Sequence, residues 1–69
     1  MPVTFLHPGE TGVIQRIGGA RDTKRFLANL GFVDGSEVSV VSKQNGGLIV
    51  TIRDTRVALD KELAKHIMV

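Results

Sequence analysis

The chain has 69 residues, no cysteine, and nine Lys/Arg against seven Asp/Glu, for a net charge of +2. That length holds one domain, residues 1–69, near the lower limit for unaided folding, and without cysteine neither disulfides nor thiolate zinc sites can add stability. The aromatic content is 4%, all Phe, which leaves little for a base-stacking or polyproline-binding surface, and the cations are interspersed with acids rather than massed against a polyanion.

In chain order, Pro8-Gly9-Glu10-Thr11-Gly12 reads as a turn feeding a strand, since Pro fixes φ and Gly admits φ > 0. The first strand is expected over Val13 to Ile17, closed by Gly18-Gly19. Asp22 is placed to cap a short helix over Thr23 to Leu30, its carboxylate accepting from free amides at the positive end of the dipole. Phe26, Leu27 and Leu30 form the expected buried stripe, with Lys24, Arg25, Ala28 and Asn29 facing outward. Gly31 follows as the left-handed residue that ends the helix.

Asp34-Gly35 marks the next turn, and Glu37 to Ser42 the next strand, with Val38 and Val40 on its dry face. Gln44-Asn45-Gly46-Gly47 has the composition of a hairpin loop. Beyond it Leu48, Val50 and Ile52 point one way, and Ile49, Thr51 and Arg53 the other. After a turn at Asp54-Thr55, Val57 and Leu59 resume the alternation. Asp60 can cap a last helical turn, and Leu59, Leu63 and Ile67 are spaced to meet. Ile67-Met68-Val69 reads as a final strand.

Short antiparallel strands at this spacing predict a mainly β fold that curls into a small barrel, since closure removes exposed edges. The expected core is Val13, Ile17, Phe26, Leu27, Leu30, Val38, Val40, Val50, Ile52, Leu59 and Ile67. Leu30→Ala is therefore expected to cost about 2–5 kcal/mol.

Catalytic signals are missing. The sequence contains no Gly-x-Ser-x-Gly elbow, no His-Glu-x-x-His helix and no phosphate loop, and Asp22, Asp34, Asp54 and Asp60 all fall where turns and caps use them. An enzyme is not expected. Glu62 and His66, four residues apart, are the candidate metal ligands, with His7 and Glu10 a second local pair. Two ligands fall short of the three or four of a tight site, so no resident cofactor is expected and Fe(II) or another transition metal would bind weakly. The densest charge lies on the first helix, where Arg21, Lys24, Arg25 and Asn29 form the candidate partner-binding surface. The alternative for these four is the ordinary solvated side of an amphipathic helix. The start of the chain has no basic stretch ahead of an apolar one, and no apolar run reaches about 20 residues, so a cytoplasmic location is expected.

Taken together, the Pro-Gly-Glu turn before Gly12-Val13-Ile14, the run Phe26-Leu27-Ala28-Asn29-Leu30-Gly31-Phe32, the passage Asp34-Gly35-Ser36-Glu37-Val38, Val57-Ala58-Leu59 and the ending Glu62 to Val69 resemble the ferrous iron transport protein A (FeoA) family. Asp54 stands where many relatives turn with Gly. The resemblance implies an SH3-like barrel of five to six short strands, with one short helix after the first strand and a helical turn near the end. The same fold forms the C-terminal domain of DtxR-like repressors. It further implies a regulatory role in bacterial ferrous iron uptake, by docking on FeoB, a membrane permease with an attached GTPase domain. Two alternatives stand beside this reading, a free-standing metal-responsive domain and a small nucleic-acid-binding barrel. Exposed strand edges would also support a homodimer.

Overall fold

The computed structural model describes all 69 residues, Met1–Val69. A 3₁₀ turn over Val3–Phe5 leads to β1 (Thr11–Val13) and β2 (Arg16–Ile17), then helix α1 (Arg21–Asn29). Strands β3 (Glu37–Gln44), β4 (Gly47–Ile52) and β5 (Thr55–Asp60) follow, then the short helix α2 (Lys61–Ala64) and β6 (Ile67–Met68). The strands form a four-stranded antiparallel sheet in the order β1-β3-β4-β5 and a two-stranded antiparallel sheet of β2 with β6.

The expected first strand is two strands in two sheets. Val13 pairs with Glu37 of β3, whereas Arg16 and Ile17 pair with Met68 and Ile67. At the crossing, the Ile14 amide donates to Ser36 in one direction and the Gln15 amide to Met68 in the other, at 2.9 and 2.7 Å. This switch inverts the expected phase. Ile14 is buried, Val13 is 44% exposed, and Ile17 is only partly covered at the edge of the core.

Local chemistry accounts for most boundaries. In the first turn Glu10 donates its amide to the His7 carbonyl, and its carboxylate accepts from the His7 amide at 2.7 Å. The β3–β4 hairpin turns on Asn45-Gly46, with Gly46 at φ +84. Register slips by one residue between Val40 and Ser42, a bulge that leaves Val41 without a partner and bends β3. β4 alternates as expected, with Leu48, Val50 and Ile52 buried. Asp60 caps α2 as expected, accepting from the Leu63 amide at 2.8 Å. The terminal strand forms as expected too.

The buried set comprises Val3, Leu6, Ile14, Leu27, Phe32, Val38, Val40, Leu48, Val50, Ile52, Leu59, Ala64 and Ile67. Of the expected core, Phe26 and Leu30 lie outside it, 51% and 37% exposed. The reason is the way α1 ends. Gly31, at φ +106, returns its amide to Ala28, and the Phe32 amide reaches the Leu27 carbonyl at 3.0 Å, the paired bonds of a Schellman cap. That reversal returns the chain to the core at Phe32, which is buried in the same cluster as Leu27 while Phe26 stays at the surface. The other end of α1 also departs from expectation. Ala20 occupies the N-cap without a side-chain bond, and Asp22 lies within the first turn. There it still complements the helix dipole.

Candidate functional surface on helix α1

Every polar or charged side chain of the molecule lies outside the buried core. Chemistry toward a partner must therefore come from the surface, and α1 organises the most distinctive part of it. Leu27 anchors the helix, and a nine-residue helix has room for little else on its buried side. The expected partner-binding residues Arg21, Lys24, Arg25 and Asn29 are all exposed on the outer side. None of the three cations has a carboxylate within ion-pair distance, since the one salt bridge in the molecule joins Lys65 to Glu62.

Two features flank this basic strip, and sequence reasoning missed both. Phe26 and Leu30, at i and i+4, share a face and form an exposed apolar pair. Their i, i+4 spacing was the available signal for an apolar pair, and it does not by itself say which side of the helix is buried. On the opposite flank a shallow cleft of about 530 Å³ opens beside α1. Arg16 and Ile17 of β2, Lys24 and Ala28 of α1, and Phe32 and Asp34 of the following loop line it. Nothing local in the sequence joins Arg16 to Lys24; the fold brings them to the lining of one cleft.

Arg53 adds a further cation at the end of α1. Its Cδ lies 3.3 Å from where a Cβ on Gly31 would stand, so its stem runs against the helix C-terminus. A cation there also complements the negative end of the helix dipole.

The candidate metal ligands do not assemble a site. Glu62 Oε2 accepts from Lys65 Nζ at 2.7 Å. That bond, with the attraction of the Lys65 charge, holds the Glu62 carboxyl below its ordinary value of 4.5. His66 lies beyond the end of α2 with its ring against Gly18-Gly19, where a Cβ on Gly19 would come within 3.1 Å of Nδ1. His7 and Glu10 are joined through a main-chain amide instead. Nowhere do three His, Asp or Glu side chains converge as a metal ion would require. No helix is long and apolar enough to cross a membrane.

Fold and surface together define a small SH3-like barrel domain whose polar chemistry is entirely external. The chain matches the FeoA domain family over residues 1–69 and belongs to that family. A relative from Methanocaldococcus jannaschii, named as an Fe(2+) transport protein A, is 29% identical over 68 residues, covering 99% of this chain and 83% of its own. The zinc-complexed FeoA of Stenotrophomonas maltophilia, a prokaryotic SH3 domain protein, superposes with a TM-score of 0.87. It is 32% identical, with 99% of this chain and 87% of that one covered. A manganese-dependent transcriptional repressor shares the fold at a TM-score of 0.88 and 24% identity, 97% of this chain matching 39% of the repressor.

Proposed function

We propose that the protein is a cytosolic, non-catalytic accessory of ferrous iron uptake that docks through α1 on FeoB, the permease carrying a GTPase domain. The family supports the transport setting, since the relatives are named for Fe(2+) transport or as FeoA. The observation that carries the docking surface is the unpaired cationic strip of Arg21, Lys24 and Arg25 beside the exposed Phe26–Leu30 pair. An aromatic anchor next to unneutralised charge is the composition of a binding patch, because the apolar group supplies affinity and the charge steers an acidic partner. The surface uses contact alone and needs no metal ligand or buried acid.

Titration calorimetry against the purified cytosolic region of FeoB tests this. Lys24→Glu with Arg25→Glu is expected to weaken binding at least tenfold, and Phe26→Ser to weaken it further, with melting temperatures near the parent value. Unchanged affinity in both variants would remove α1 as the docking surface.

A further inference from the structure

Strand β5 is an open sheet edge. It forms one border of the four-stranded sheet and pairs along all six residues with β4, without a bulge. The opposite border, β1, is only three residues long. Across β4 the two-residue loop Arg53-Asp54 makes Ile52 and Thr55 a hydrogen-bonded pair, and Val50–Val57 and Leu48–Leu59 follow in the same phase. Arg56 and Ala58 therefore direct their amides and carbonyls away from the sheet. Neither residue takes part in any of the main-chain hydrogen bonds outside the regular elements. Edge strands are ordinarily blunted by charged side chains, Pro, a bulge or shortness; β5 has no Pro and no bulge, and its two exposed charges, Arg56 and Asp60, are of opposite sign.

Its side chains are self-complementary. Arg56, Ala58 and Asp60 are exposed, while Val57 is half-buried and Leu59 buried. We infer that β5 pairs antiparallel with β5 of a second copy of this chain, about a two-fold axis through Ala58. That register sets Arg56 opposite the second copy's Asp60, and Asp60 opposite the second copy's Arg56. It also sets each Val57 beside the other copy's Leu59, so the apolar side of the sheet continues across the junction. Neighbouring registers lose this match. An axis through Arg56 opposes two guanidinium groups, and an axis through Val57 opposes Asp54 to Asp60. Charge thus selects one alignment, and the two four-stranded sheets become one of eight strands.

Sedimentation of the full chain up to about 1 mM tests the pairing, a range suited to a small interface. The parent is expected to form a concentration-dependent dimer. Arg56→Asp alone opposes two acids at each end and Asp60→Arg alone opposes two arginines, so each is expected to weaken self-association at least tenfold. Mixed in equal amounts, the two variants restore an opposite pair at both ends, and a heterodimer should form. Ala58→Pro removes an outward amide without touching the β4 ladder, and it too should be monomeric with an unchanged circular dichroism spectrum. A parent that stays monomeric at about 1 mM would overturn the inference. So would an Ala58→Pro dimer as tight as the parent's, or folded charge variants that fail to associate when mixed. The readout is independent of FeoB binding, so α1 docking and β5 pairing stand or fall separately.

Discussion

Gly47 and Leu59 approach so closely across the β4–β5 ladder that a Cβ on Gly47 would overlap the Leu59 carbonyl oxygen. The obstacle is main chain, with Asp60 Cα also only 3.1 Å away, so rotating a side chain cannot relieve it. Gly47→Ala is expected to cost about 1–3 kcal/mol as overpacking forces the strands apart. Gly18 provides the contrast. A Cβ there meets nothing closer than 3.6 Å, and its φ is not in the left-handed region. Gly18→Ala should be neutral or stabilise by up to about 1 kcal/mol, by restricting the unfolded chain. Urea unfolding of the two variants should move their midpoints in different directions or by clearly different amounts; equal losses would contradict the packing described.

Leu27 and Leu30 exchange the importance their spacing implies. Leu27 is fully buried under α1, and its truncation to Ala is expected to cost about 2–5 kcal/mol. Leu30 is more than a third exposed, and Leu30→Ala should cost about 1 kcal/mol or less. Thermal melts of both variants check this, and comparable losses would place Leu30 back in the core.

The β4–β5 turn holds two non-glycine residues in the left-handed region, Arg53 at φ +50 and Asp54 at φ +63. Both central residues of a type I′ hairpin adopt that conformation, which Asn-Gly accommodates with less strain. Replacing the pair by Asn-Gly should stabilise the domain by about 1 kcal/mol, or roughly 4–8 °C in Tm for a domain of this size. A lower Tm would mean that the lost packing of Arg53 on α1 outweighs the relief of strain.

Glu62 gives a pH dependence of defined sign. Its carboxyl titrates below 4.5 because Lys65 donates a hydrogen bond to the ionised form. A carboxylate lowered in the folded state stabilises that state above the unfolded value, and the contribution is lost as pH falls through the folded one. Because both side chains are more than half exposed, the effect on stability is small and salt-sensitive. Lys65→Ala should return the Glu62 titration, followed by NMR, toward its ordinary range; an unmoved titration would rule out Lys65 as the cause.

Legibility of the fold tracked how local each cause was. The Gly31 helix stop, the Asp60 cap, the Asn45-Gly46 hairpin and the alternation of β4 all depend on neighbours within a few residues, and all were readable. The Val13–Ile17 segment was misread because its two halves answer to different partners, β3 and β6, far apart in sequence. Phe26 and Leu30 differ from expectation because the Gly31 turn returns Phe32, and not Phe26, to the core cluster. The site divides in the same way. The exposed cations of α1 could be read directly, whereas the cleft formed with Arg16 and Asp34 joins residues far apart in sequence and exists only in the folded chain.

The two residue pairs that seal β2 to β6 join Arg16 and Ile17 to Met68 and Ile67. The β3–β4–β5 meander, by contrast, pairs segments that follow one another directly. Contacts between such distant positions reward the chain only after the loop between them has been closed, so this seam should form late on the folding route. On the ribosome the meander can assemble as it emerges, but the second sheet must wait until Ile67 and Met68 have cleared the exit tunnel. During that interval Arg16 and Ile17 have no strand to pair with, and the nascent domain exposes main-chain groups that β6 covers in the finished molecule.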